Sequence, residues 1–176
     1  IKINMLKTVN WQEFLLKDCL TQNWQMNDSE KIALAGLLAR INPNLVLEIG
    51  TYYRGSLSLI RQYAEEVYSI DIDPEVPKRE GDFPNVKYLI GDAKKIIPDL
   101  LNKLDRQGKS IDFILIDGDQ SYGGVKRDIN LILQYQPKKP LFIMFHDSCN
   151  PECRAGILDA AWEHSYYLKW MDIDFV

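Results

Sequence analysis

Leu45-Val46-Leu47-Glu48-Ile49-Gly50-Thr51-Tyr52-Tyr53-Arg54-Gly55-Ser56 decides the fold. The first half is an apolar run of strand length that ends on a glycine. The second half is a turn flanked by Gly50 and Gly55 that leads into a helix, which is the opening of a βα unit. The same alternation repeats downstream. Segments 67–71, 86–90, 111–116 and 140–145 read as strands, and 56–64, 93–104, 124–135 and 151–164 as the helices between them. Residues 166–176 are expected to form a sixth strand with its lead-in. Strands that are apolar throughout belong in a parallel sheet covered on both faces. The expected fold is α/β, doubly wound and mostly parallel, with helices on both sides.

Upstream, residues 5–20 carry Leu6, Val9, Phe14 and Leu15 at helical spacing. Asn27-Asp28-Ser29-Glu30 is a helix start, followed by an apolar face of Ile32, Leu34, Leu37, Leu38 and Ile41. Residues 1–44 are therefore expected to be N-terminal helices that serve as a lid or an oligomer contact, such as a homodimer interface. Residues 45–176 form the core.

In a sheet of this kind the ligand lies beyond the carboxyl ends of the strands. Those ends read Glu48-Ile49-Gly50, Asp71-Ile72-Asp73, Gly91-Asp92-Ala93, Asp117-Gly118-Asp119 and His146-Asp147, so each of the five carries a carboxylate. Asp also suits turns and helix caps, and Asp92 has both readings open. Gly50 is expected to let the backbone approach a ligand closely. Asp71 lies at the distance from Glu48 where an acid accepts from ribose hydroxyls. The Gly-x-Gly-x-x-Gly and P-loop patterns are missing, and Glu48 stands where the first glycine would be, which favours a cationic ligand group over a pyrophosphate.

The chain has 176 residues, with 46% hydrophobic and 26% charged, an ordinary composition for one folded domain. Its net charge is −4 and its basic residues fall in scattered pairs, which argues against nucleic acid as a partner. Apolar runs stay far below the ~18 residues of a membrane span, so no membrane partner is expected. Three cysteines, Cys19, Cys149 and Cys153, make no disulfide framework and suit the cytoplasm. Cys149 and Cys153 with His146 form a weak zinc pattern that lacks a second half.

Together these residues resemble the class I S-adenosylmethionine-dependent methyltransferases. Within them they resemble the small-molecule O-methyltransferases that carry E-I-G-[ST]-x-x-G-G-S, I-D-G-D-H-S-Y and a later H-D or E-D, such as the macrolide-sugar O-methyltransferases and cephalosporin hydroxylase-like proteins. The matching stretches are 48–56, Ile116-Asp-Gly-Asp-Gln-Ser-Tyr122 and His146-Asp147. The resemblance implies a Rossmann-like sheet and S-adenosyl-L-methionine as cofactor. Glu48, Gly50, Thr51 and Ser56 are then expected at its methionine end. Asp71 would take the ribose, Ile72 would lie beside the adenine, and Asp92 and Ala93 would meet the adenine edge. Asp117 would lie near the sulfonium and the acceptor. In metal-dependent members a divalent ion is held at the positions of Asp117, His146 and Asp147, here Mg2+ or Mn2+.

The chain departs from the pattern at Arg54, which replaces a glycine, and at Gln120, which replaces a histidine. It is also expected to lack the seventh, antiparallel strand. A small-molecule hydroxyl (sugar, natural product or phenol) is the expected acceptor. Its activation would fall either to the ion or to His146 as general base, with Asp117 beside it as the second catalytic residue. The competing readings are a non-catalytic S-adenosylmethionine or nucleoside-binding module and a nucleotide-dependent oxidoreductase.

Overall fold

A computed structural model describes residues 25–79 and 83–175. Five parallel strands form one sheet: β1 (Leu45–Ile49), β2 (Glu66–Asp71), β3 (Val86–Ile90), β4 (Phe113–Ile116) and β5 (Phe142–Phe145), in the order β3-β2-β1-β4-β5. Helix α1 (Asp28–Ile41) precedes β1. The crossovers hold α2 (Gly55–Tyr63), α3 (Ala93–Arg106) and α4 (Tyr122–Ile132), and α5 (Pro151–Leu158) follows β5. The order turns back between β1 and β4, so the crevice beyond their carboxyl ends is where this architecture takes a ligand.

Side chains alternate across a strand, and the core divides accordingly. Leu45, Leu47 and Ile49 join Tyr68, Ile70, Ile114 and Ile116 under α3, α4 and α5. Val46 joins Val67, Phe113, Leu115 and Met144 under α1 and α2. Glu48 shares the parity of Val46. It is driven into the α1–α2 face by the same period that buries its neighbours, and it is fully buried.

Helix starts follow the capping signals. Asn27 and Glu30 form a reciprocal capping box on α1, and Asp92, Ser121 and Asn150 each accept a backbone N–H at the start of α3, α4 and α5. Among the described α-helices only α2 begins without a side-chain cap.

Two expectations are corrected. The last helix ends at Leu158, and only a 3-10 turn at Trp162–His164 follows. The expected strand over 166–176 is not formed in the described part, 166–175. Asp172 accepts the Asp174 N–H at 3.0 Å, and Asp174 pairs with Arg154 of α5 at 2.8 Å. Local side-chain bonding thus competes with a ladder on β5, and Ile173 packs on the core instead. Tyr166, Trp170 and Phe175 stay exposed. The expected helix over 5–20 lies outside the described residues. No described helix is long and apolar enough to cross a membrane.

The glycines supply a paired test. Gly50 has φ +85°, and a Cβ on it would lie 2.1 Å from the Asp117 carbonyl oxygen, whereas Gly36 in α1 has nothing within 4 Å of that position. Gly36→Ala is expected to raise unfolding free energy by about 0.5–1 kcal/mol, and Gly50→Ala to lower it by more than ~2 kcal/mol. Urea titration of both variants checks this, and an unchanged midpoint for Gly50→Ala would contradict the backbone contact.

Candidate active site

The β1–α2 loop is organised by two carboxylates. Glu48 accepts from the Ser56 hydroxyl at 2.6 Å and the Thr51 hydroxyl at 2.9 Å, and the Thr51 and Ser69 oxygens lie 2.5 Å apart. Burial raises the Glu48 carboxyl, the hydroxyl donors pull it back, and Asp117 pushes it up again, leaving it at about 7. Asp71, at the tip of β2, accepts the Thr51 and Tyr52 N–H groups on one oxygen, both at 2.8 Å, and the Asp73 N–H on the other at 2.8 Å. Asp71 therefore ties the β1 and β2 tips together, with one lone pair, on Oδ1, remaining for a ligand hydroxyl.

The loop carries two left-handed non-glycine residues, Tyr52 (φ 44°) and Arg54 (φ 69°). A glycine at 54 would adopt that conformation without strain. The arginine is held there by its buried side chain, with the guanidinium 3.9 Å from the Phe83 ring centroid and bonded to the Arg79 carbonyl. Burial lowers its pKa. Arg79 pairs with Asp73 at 2.7 Å and stands 4.9 Å from the Tyr53 centroid, at the mouth of the loop.

Gly50 makes its close approach to the Asp117 backbone, so the glycine serves the meeting of β1 and β4 tips in addition to any ligand. Ser56 is buried beneath the loop with its hydroxyl on Glu48. Ile72 is 77% exposed at the rim. Asp92 caps α3 through the Lys94 N–H at 2.9 Å, with Ala93 as the first residue of the helix.

A second cluster lies across the switch point. His146 Nδ1 is 3.0 Å from Asp117 Oδ1 and 3.1 Å from Asp147 Oδ2, while Nε2 is 3.4 Å from Glu30 Oε2. The ring is buried, and neither nitrogen meets hydrogen-bond geometry. Burial opposes charge on the imidazole, but Asp117, Asp147 and Glu30 outweigh it and raise the pKa to about 9. Ligand atoms of Asp117, His146 and Asp147 all lie within 4.8 Å of one another, close enough for the three to hold a metal ion together. Asp147 is left-handed at φ 54°. Gln120 donates to Asp117 at 3.3 Å. Cys149 and Cys153 contribute no ligand atom to this cluster: Cys149 is exposed, and the buried Cys153 thiol donates to the Gln120 carbonyl at 3.0 Å.

A family model described as a methyltransferase domain matches residues 47–148, more than half of the chain. The chain belongs to the methyltransferase domain family. Two curated relatives are named uncharacterized RNA methyltransferases. The one from Halalkalibacterium halodurans is 30% identical over 65% of this chain and 25% of its own length. The one from Clostridium tetani is 28% identical over 64% of this chain and 24% of its own. The chain thus spans about a quarter of the relatives' length. Cofactor-bound Rv0187 from MTB shares the fold with a TM-score of 0.55 at 20% identity, over 74% of this chain and 61% of that one.

In this methyltransferase domain the structure brings together Glu48, Thr51, Ser56 and Asp71 on one side of the switch point and Asp117, His146 and Asp147 on the other. Asp92, Ala93 and Ile72 stand at the tips of β2 and β3, outside both clusters. Glu30 and Arg79 were missed from sequence. Glu30 reads there as a capping residue only, and Arg79 belongs to no motif.

The Glu48 carboxyl makes stability depend on pH in a definite direction. Its pKa is about 7 in the folded chain against an ordinary glutamate value of 4.5. Between those values the folded state holds the extra proton, so this contribution is full below 4.5 and is lost as pH rises to 7, by roughly 3 kcal/mol. His146 acts in the same sense between 6.5 and about 9. Glu48→Gln is expected to gain stability relative to wild type as pH rises from 5 to 8, read by urea unfolding at both values. A constant difference would show that the carboxyl titrates normally.

Proposed function

We propose that this chain is the S-adenosylmethionine-binding core of a methyltransferase acting on a hydroxyl of a small molecule, assisted by Mg2+ or Mn2+. The observation that carries the reading is the convergence of Asp117, His146 and Asp147 beside the β1–α2 loop. A non-catalytic binding module gives no reason for a buried imidazole to sit between carboxylates at this point.

The residues fit both groups. Two carboxylates and an imidazole whose buried nitrogens lack hydrogen bonds are a fitting donor set for a divalent ion. Glu48, held at the base of the loop with its carboxyl at about 7, would be drawn into the ionised form by the cofactor's ammonium group. Asp71 has one lone pair, on Oδ1, for a ribose hydroxyl, and Ile72, Asp92 and Ala93 line the rim where the adenine would lie. The cofactor supplies a methyl group activated by sulfonium, and the cation lowers the pKa of a hydroxyl that it holds.

The chain's own work is alignment. Asp117 belongs to both halves of the site, because its backbone packs on Gly50 and its side chain faces His146. It can therefore register acceptor against methyl donor, and such proximity is worth up to ~7–11 kcal/mol of barrier. His146 as a free general base is the weaker route: its ring is enclosed and its nitrogens face carboxylates on both sides, leaving none for the acceptor.

RNA is the second reading, favoured by the names of the two curated relatives. The net charge of −4 and the scattered basic pairs weigh against it. Calorimetry with S-adenosylmethionine or NAD, each with and without Mg2+ or Mn2+, tests the cofactor. Binding of the former alone is expected, and none at millimolar concentration overturns the proposal. Asp117→Asn is expected to weaken Mn2+ binding at least ~10-fold. Labelled methyl transfer to a panel of sugars and catechols against a structured RNA decides the acceptor.

A further inference from the structure

We propose that Glu30, in the first turn of α1, is a positioning residue for the cation site: its carboxylate receives the Nε2–H of His146 and so makes Nδ1 the nitrogen that gives up its proton to an ion held with Asp117 and Asp147. This rests on the reading above, in which those three residues hold a divalent ion.

The two nitrogens of an imidazole are not independent. Only a deprotonated nitrogen ligates, and the proton is then confined to the other, which is usually given to a carboxylate or carbonyl that fixes the ring. In this chain Nδ1 faces Asp117 and Asp147. Nε2 faces Glu30 at 3.4 Å and is a buried atom with no hydrogen bond. That separation is a few tenths of an ångström longer than a typical hydrogen bond, and it places the carboxylate at ion-pair distance from the ring. Glu30 itself is fixed, because the same Oε2 accepts the Asn27 N–H at 2.7 Å. A carboxylate oxygen has lone pairs for both donors.

The plain alternative is that Glu30 only caps α1. A capping box is served equally by Glu and Gln, so it has no need of the negative charge. The geometry adds what a cap does not explain: a carboxylate carried from α1 to the open nitrogen of a histidine at the tip of β5. It also makes the placement of α1 part of the site.

The experiment uses the full chain, Mn2+ as probe and three forms: wild type, Glu30→Gln and Asn27→Ala. Glu30→Gln keeps the cap and removes the charge, and Asn27→Ala removes the cap's other half. We expect Glu30→Gln to weaken Mn2+ binding by about 10–100-fold with little loss of thermal stability. Asn27→Ala should lower stability and leave affinity within about twofold, since it lacks the charge effect. A second readout is nitrogen NMR of the histidine rings, which is simple because the chain has two histidines and His164 is exposed. Glu30→Gln should shift the His146 Nε2 resonance in metal-free protein, and Asn27→Ala should not. Unchanged Mn2+ affinity in Glu30→Gln overturns the proposal. If wild type itself binds no Mn2+, the cation reading falls separately, and the Nε2 resonance alone decides whether Glu30 holds the ring.

Discussion

The site depends on one backbone contact, between Gly50 and Asp117. Parallel pairing sets Glu48 beside Leu115 and Ile49 beside Ile116, so the next residues of β1 and β4 meet directly beyond the ladder. They meet closely enough that no side chain fits on Gly50. From that point the chain diverges in two directions. One leads through the loop over Glu48 and Asp71, and the other leads to Asp117 and the end of β5. A wider separation of the tips would part the two carboxylate groups that the fold brings to one crevice.

Acids concentrated at strand ends repel one another, and the structure answers differently at each. Glu48 is raised toward neutrality by burial among hydroxyls. Asp71 is surrounded by backbone N–H groups. Asp117 and Asp147 share an imidazole. At the opposite end of the sheet Asp112 uses the N–H groups of Asn44 and Leu45, at 2.9 and 3.1 Å, to fix the start of β1. The same residue type therefore serves as staple at one end of the sheet and as candidate ligand at the other.

Much of this was legible in the sequence because its causes are local. The apolar runs of β1 and β4 have no exposed face and so no alternation to mislead, and Asn27 and Asp92 mark helix starts by their own hydrogen bonds, whereas the Ser121 cap, which starts its helix at Tyr122 rather than at 124, was not read. Asp117, His146 and Asp147 were legible because strand ends converge in any parallel sheet. Glu30 was not, since its approach to His146 depends on how α1 crosses the sheet over a hundred residues away in sequence. The tail at 166–175 reads as a strand by composition, but the Asp172–Asp174 turn and the Arg154 pair hold it elsewhere. Arg54 was visible as a departure from pattern, and its reason was not: Phe83, which covers its guanidinium, lies far along the chain.

The left-handed residues Tyr52, Arg54 and Asp147 carry a further consequence. Such conformations are held against the preference of an L side chain, and in the β1–α2 loop the holding is done by the Tyr52 N–H bond to the Asp71 carboxylate and by the Arg54–Phe83 stack. The loop's shape is thus set by the fold before a ligand arrives, and the entropy of ordering it is charged to folding rather than to association. The heat and entropy of ligand capture would then come chiefly from the ligand's own lost freedom and from released water, with little contribution from the chain.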